Sequence, residues 1–212
     1  MTSSSGETFR AVWKGLSDEA RNACRGVFSD RNCQALNVAR ELLGDKSVLE
    51  SNKSEIEHIA LGKLDPVDDA NGMVLLCGYF GILSKGFLEA CPFPIVNTHP
   101  SLLPSFSGLD KKVHARASEN VGLSGFTVHL VTEVVDGGPI LFQHPVWVDP
   151  KVPEDDVRAA VRAAEQKWLP LVWEQLLKSD IKVTDRHLTT RELRATKFLV
   201  PSTFVDQEFE HS

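Results

Sequence analysis

Asn97 and His99, two residues apart in the stretch VNTHPSLLPSFSG, are residue types that can hold an oxyanion and manage a proton. They close a short apolar run, FPIVN (93–97), and precede Pro100, which disfavours helix at His99 and stiffens the exit. If the run is a strand, a spacing of two puts both side chains on one face of it. The same residues also suit a polar turn in which both groups only satisfy nearby backbone.

Asp136 leads Asp-Gly-Gly-Pro (136–139), which is a good turn by itself. Equally, the glycines could let backbone approach a ligand while Asp136 faces His99. A carboxylate beside His99 would favour the imidazolium, which could donate to a developing oxyanion. Glu165 lies four residues after Val161 and three before Trp168, at the margin of a helical apolar face. A charge there is either solvated or aimed into a site. His129 alternates with apolar neighbours in FTVHLV and reads as a structural strand residue. His114 either lines the site or sits on a helix, and the other histidines have no company that suggests ligation. GxSxG, P-loop and HExxH patterns are absent, which removes most support for serine nucleophiles and nucleotide hydrolysis.

The elements that must position these groups read as strands alternating with helices. Strands are expected at 24–29, weakly at 46–50, most strongly at 72–83, then at 93–97, 123–131 and 139–148. Helices are expected over 30–44, capped by Asp30 and ended by Gly44, and over 54–64. A long helix from about Glu154 to Lys178 carries Val157, Val161, Ala164, Trp168 and Leu171 on one face, with a kink at Pro170. The alternation predicts an α/β fold around a mainly parallel sheet, with the ligand beyond the carboxyl ends of the strands. The expected division is one domain over 1–183 and a polar C-terminal tail over 184–212.

The net charge of −6 argues against nucleic acid as a partner, and no apolar run approaches a membrane span. The N-terminus lacks the pattern of a secretory signal. Cys24, Cys33, Cys77 and Cys91 have no metal-binding spacing, and Cys77 and Cys91 read as buried thiols of a reduced, cytoplasmic protein.

Three segments, NTHPSLLP (97–104), SGFTVHLVTEVVDGGPILFQ (124–143) and AAEQKWLPLV (163–172), resemble signature segments of the folate-dependent formyltransferases. The resemblance runs from about Gly6 to Lys182 and is greatest to the branch that formylates phosphoribosylglycinamide (GAR) in purine synthesis. It implies a formyltransferase-type α/β fold with a mainly parallel twisted sheet flanked by helices. It also implies direct transfer of a formyl group from 10-formyltetrahydrofolate, as cosubstrate, to an amine, with no metal. Asn97 would then bond the formyl oxygen, His99 would stabilise the charge on it, and Asp136 would set the state of His99 and assist proton transfer. The pterin pocket would form near Phe80, Gly81, Ile82 and Leu83 and near Thr132, Glu133, Val134 and Val135. Ser5, Gly6 and Glu7 would stand in the phosphate-holding loop, and Glu165 would contact the acceptor amine. The partners implied are small molecules, in a monomer or homodimer, with no nucleic acid and no membrane.

The chain departs from that family in three places. Only Met1 and Thr2 precede SSSGETF, so the usual first N-terminal strand has no counterpart, and Glu7 brings a carboxylate where a phosphate would lie. Gly81 stands where the family commonly has arginine. SGLDKKVHARA (107–117) carries two extra residues before His114. Competing readings are an N-formyltransferase for a nucleotide-linked amino sugar, a folate-binding relative without catalysis, and a metal hydrolase built on His99, His114 and Asp136.

Overall fold

Short apolar runs at β spacing alternate with amphipathic runs that form helices. The computed structural model describes residues 6–45, 48–64, 72–79, 81–108, 114, 121–149, 152–179, 181–189 and 192. In chain order the elements are α1 (Glu7–Gly15), α2 (Asp18–Asn22), β1 (Val27–Ser29), α3 (Gln34–Leu43), β2 (Val48–Glu50) and α4 (Lys53–Leu61). They continue with β3 (Val74–Leu76), α5 (Lys85–Ala90), β4 (Ile95–His99), β5 (Leu123–Leu130), β6 (Ile140–Trp147) and α6 (Glu154–Leu177). β1 and β2 pair in parallel as one sheet. The second sheet runs β3-β4-β5-β6, parallel at β3–β4 and antiparallel at β4–β5 and β5–β6. The fold is therefore α/β, parallel through its N-terminal strands and closed by an antiparallel hairpin.

Alternation along the strands divides the core. Val27 and Val96 join the apolar cluster beneath α1, α3 and α6, while Phe28 and Ile95 join the cluster beneath α4 and α5. α1 and α6 pack so closely that a Cβ on Gly15 would lie 2.4 Å from Cβ of Pro170. α6 runs unbroken through Pro170, whose ring fills that contact.

Several expectations need correction. The apolar stretch 72–83 gives only three strand residues, because Gly78 turns at φ 63° and Leu83 packs into the α4–α5 cluster. α3 starts at Gln34, after Cys33, because the Asp30 carboxylate is taken by Arg31 at 2.8 Å and caps nothing. Gly44 ends that helix as expected. On α6 the buried face continues from Trp168 to Val172 and Leu176, and Leu171 is 45% exposed. The spacing of four, not three, sets that stripe.

α1 was not anticipated, although Phe9, Val12 and Leu16 are buried at helical spacing. Nor was α5, which Ser84 caps by accepting from Phe87 N. Val183–His187 forms a 3-10 turn docked on the body, where Arg186 donates to Leu88 O at 2.8 Å and Phe93 O at 2.5 Å. Cys77 and Cys91 are buried free thiols.

Candidate active site

β4 delivers Asn97 and His99 at its carboxyl end, on the face opposite Val96 and α6. Pairing with β5 sets His129 directly across from Asn97 and Thr127 across from His99. A register shift falls between Val128 and His129. Irregularities of this kind re-aim side chains. Beyond β5, the loop from Val131 to Pro139 turns back over the strand ends and brings in Asp136 at φ 54°. Such a left-handed backbone is tolerated by Asp and Asn because the short polar side chain bonds locally.

Gly138 shows why this turn needs its glycines. A Cβ there would lie 1.9 Å from the carbonyl oxygen of Leu130, while Leu130 N donates to Pro139 O at 2.9 Å. The glycine lets the chain cross its own strand, a structural need apart from any approach of ligand. Gly138→Ala is expected to cost roughly 1–3 kcal/mol from forced backbone displacement. For a chain of this size that lowers the thermal midpoint by roughly 2–10 °C, readable by circular dichroism.

Four side chains converge. Asn97 Nδ2 lies 3.2 Å from His129 Nε2, His129 Nε2 lies 3.5 Å from Asp136 Oδ1, and His99 Nδ1 lies 3.3 Å from Asp136 Oδ2. Asp136 Oδ2 also accepts from Gly108 N at 2.7 Å. Burial by itself would raise the Asp136 carboxyl, but the hydrogen bond from His129, the charge of His99 and the Gly108 N–H outweigh it and hold it below its ordinary value. It is an anion at neutral pH.

His99 is 6% exposed, and both ring nitrogens face acceptors: Nδ1 the carboxylate, Nε2 the carbonyl oxygen of Phe106 at 2.9 Å. Burial pushes its pKa down, against the upward pull of Asp136 and Phe106. The carboxylate does pull the ring toward the imidazolium, as expected, but desolvation outweighs that pull and the ring is neutral at neutral pH. One N–H is then available to donate, and the carboxylate competes with the Phe106 carbonyl for it.

His129 is the residue that sequence reasoning missed. Its Nδ1 lies 2.9 Å from Leu130 O, and its Nε2 is shared between the Asn97 amide at 3.2 Å and Asp136 Oδ1 at 3.5 Å. His129 thereby sets which way Asn97 points. The only sequence signal was a polar residue inside an apolar alternation, and that signal has no partner until the β4–β5 register is known.

The remaining sequence-predicted residues fall in two groups. Gly6 sits at the N-cap of α1 with φ 81°, Glu7 is exposed and held by Arg162 at 2.8 Å, and Thr8 hydrogen-bonds Glu165. Glu165 on α6 is partly buried, and loss of hydration raises its carboxyl to about 7, against the opposing effects of Arg162 and Thr8. Its charge also acts on Cys77, just past β3, so it stands on the α6 side of the sheet whose other face carries Asn97 and His99.

In the second group, Lys85 bonds Glu133 at 3.3 Å, which ties the 81–84 segment to the 132–135 turn. Ile82, Val134 and Val135 are exposed apolar side chains there, Thr132 bonds Val134 O, and Leu83 is buried in the core. A Cβ on Gly81 would lie 2.6 Å from Tyr79 Oη, so this tyrosine occupies the room a larger residue would need. Phe80 and Ser5 lie outside the described residues. His114 is half-buried and its pKa falls to about 4 through burial and then Arg158. Among the described residues no group of three or more His, Cys, Asp or Glu is placed to hold a metal ion, and no helix is long and apolar enough to cross a membrane.

Comparison with known proteins places these features in context. Residues 2–173 match the family model described as formyl transferase. Phosphoribosylglycinamide formyltransferase of Bacillus subtilis is 36% identical over 105 residues, which cover 50% of this chain and 53% of that protein. Formyltetrahydrofolate deformylase of Mycobacterium tuberculosis is 47% identical over 85 residues, covering 40% of this chain and 27% of that protein. The chain spans about half the length, or less, of the curated relatives it matches. Among solved structures, glycinamide ribonucleotide transformylase 1 from Symbiobacterium toebii aligns with a TM-score of 0.68 at 30% identity, covering 84% of this chain and 85% of that one.

Proposed function

We propose that this chain, which belongs to the formyl transferase family, moves the formyl group of 10-formyltetrahydrofolate to the amine of phosphoribosylglycinamide as a cytoplasmic enzyme of purine synthesis. The observation that carries this reading is the convergence of Asn97, His99, His129 and Asp136 through contacts of 3.2–3.5 Å at the end of β4. The similarity to GAR formyltransferases supports the acceptor.

The chemistry needs donors where charge develops. The acceptor nitrogen attacks the formyl carbon, and the carbonyl oxygen becomes an oxyanion. Asn97, oriented by His129, donates one amide N–H to that oxygen. His99 donates a ring N–H, with the formyl oxygen replacing the Phe106 carbonyl as its acceptor. Such preformed donors stabilise the intermediate without reorganisation. The bond from the formyl carbon to the folate nitrogen then breaks. The acceptor nitrogen loses a proton and the folate nitrogen gains one, so no net proton is consumed. The Asp136 carboxylate, ionised and beside His99, is placed to take and return that proton through water. Ile82, Val134 and Val135 offer the apolar surface on which a pterin ring would lie.

On the α6 side, Glu165 would contact the acceptor substrate away from its attacking nitrogen. A carboxyl raised to about 7 is protonated below that pH and charged above it. Acceptor KM is expected to fall as pH rises through about 7. Glu165→Gln should raise that KM, flatten its pH dependence, and leave the folate Kd within about twofold. Loss of folate binding in step with acceptor use would refute the assignment.

A second reading is hydrolysis of the same donor, with water as the acceptor. The Glu7 carboxylate at the start of α1, bonded to Arg162, favours it, as does similarity to the deformylase. Folate absorbance followed with and without GAR separates the two. Transfer requires GAR for turnover, whereas hydrolysis proceeds at the same rate without it.

A further inference from the structure

The segment that presents Ile82 is fastened from α4 by a carboxylate that the chemistry above does not use. Glu57 is buried, and its hydrogen bonds among the described residues both go to Ser84: Oε1 accepts from Ser84 N at 3.0 Å and Oε2 accepts from Ser84 Oγ. The same hydroxyl accepts from Phe87 N at 3.1 Å, so it caps α5 while α4 holds it. Leu83 is buried in one cluster with Ile56 and Phe87, whereas Ile82, one residue earlier, is half exposed. At the start of the segment the Tyr79 ring fills the space a side chain on Gly81 would need.

We propose that Glu57 is a positioning residue for the formyl donor, locking Ser84 and thereby the Ile82 surface before any ligand arrives, a role that rests on the folate reading of this surface given above. Burying a carboxylate is unfavourable unless hydrogen bonds offset it, and here those bonds converge on one residue. A helix cap needs only the hydroxyl. The bond to Ser84 N does something else. That N–H belongs to the rigid peptide plane joining Leu83 to Ser84, so holding it orients the backbone that follows Ile82. Ser84 also sets where Lys85 emerges, and Lys85 Nζ lies 3.3 Å from Glu133, in the turn that carries the exposed Val134 and Val135 and leads to Asp136. An exposed pair of this kind adds little stability, but it joins the two apolar edges of one surface. A surface fixed in advance spares the donor the loss of conformational freedom that ordering a loose loop would require.

The test compares Glu57→Met, near in volume but without acceptors, with Glu57→Gln, which keeps one carbonyl oxygen. The full chain is titrated with 10-formyltetrahydrofolate by calorimetry, and KM for GAR and kcat are taken from turnover. Glu57→Met is expected to weaken folate binding about tenfold and Glu57→Gln about fivefold, as the Ser84 donors lose their acceptors. KM for GAR, and kcat at saturating donor, should stay within about twofold of the parent. Ser84→Ala should give a similar loss, and the Glu57→Met, Ser84→Ala double variant no more than either change alone, because both break one link. If Glu57→Met does not fold, Glu57→Gln decides by the same criteria. Variants that melt earlier yet bind folate as the parent does would make Glu57 a purely structural residue and overturn the proposal. So would a KM for GAR that rises in step with the folate Kd, or losses that add in the double variant. A parent that binds no folate would remove the donor reading and this role with it, whereas a parent that binds folate no better than its variants would remove Glu57 alone.

Discussion

His99→Ala is expected to lower kcat by about 10²–10³-fold while folate still binds, the usual effect of removing one preformed oxyanion donor. The expectation follows from placement. His99 closes β4, its Nδ1 lies 3.3 Å from Asp136, and its Nε2 is held 2.9 Å from a carbonyl oxygen that a formyl oxygen would replace. The variant also leaves the Phe106 carbonyl and part of Asp136 without a donor, at a cost of roughly 1–3 kcal/mol. Circular dichroism and folate titration separate that loss from the catalytic one. A folded variant with kcat within threefold of the parent would remove His99 from the chemistry.

Asp136→Asn is expected to lower kcat by a similar or larger amount, within the 10²–10⁴-fold range typical of a positioned acid or base. Asparagine suits this test because it tolerates the left-handed backbone at φ 54°, so the turn should persist. What changes is charge. The anion accepts from Gly108 N, faces His129 and His99, and stays ionised because these groups outweigh its burial. The amide cannot take a proton, and its NH₂ group turns a donor toward one of two histidines. Carboxyls held low in this way favour the fold above their unfolded pKa and lose that contribution as pH falls through the folded value. The acid limb of the parent's stability curve should therefore shrink in Asp136→Asn. Unchanged turnover across pH would show that Asp136 moves no proton.

Much of this was legible in the sequence because the signals were local. Asn97 and His99 share a face at a strand end through a spacing of two, and Pro100 marks the exit. Asp-Gly-Gly-Pro announced a tight turn, although the reason for Gly138 is the oxygen of Leu130, a contact no local pattern contains. His129 was read as structural because its role comes from lying opposite Asn97 in the β4–β5 register. Asp136 favours the charged form of His99 as expected, but burial, which no local pattern contains, outweighs it. Leu171 was placed on the buried face of α6 by a step of three where the packing follows a step of four.

If the formyl group leaves folate for an amine, a label on that group follows it. Donor carrying a carbon-13 formyl label is incubated with the protein and GAR, and the products are resolved by carbon NMR. The label is expected to appear as an N-formyl amide on GAR, and the signal to be lost in His99→Ala. Label recovered as formate, at a rate indifferent to GAR, would contradict transfer and give the site to hydrolysis.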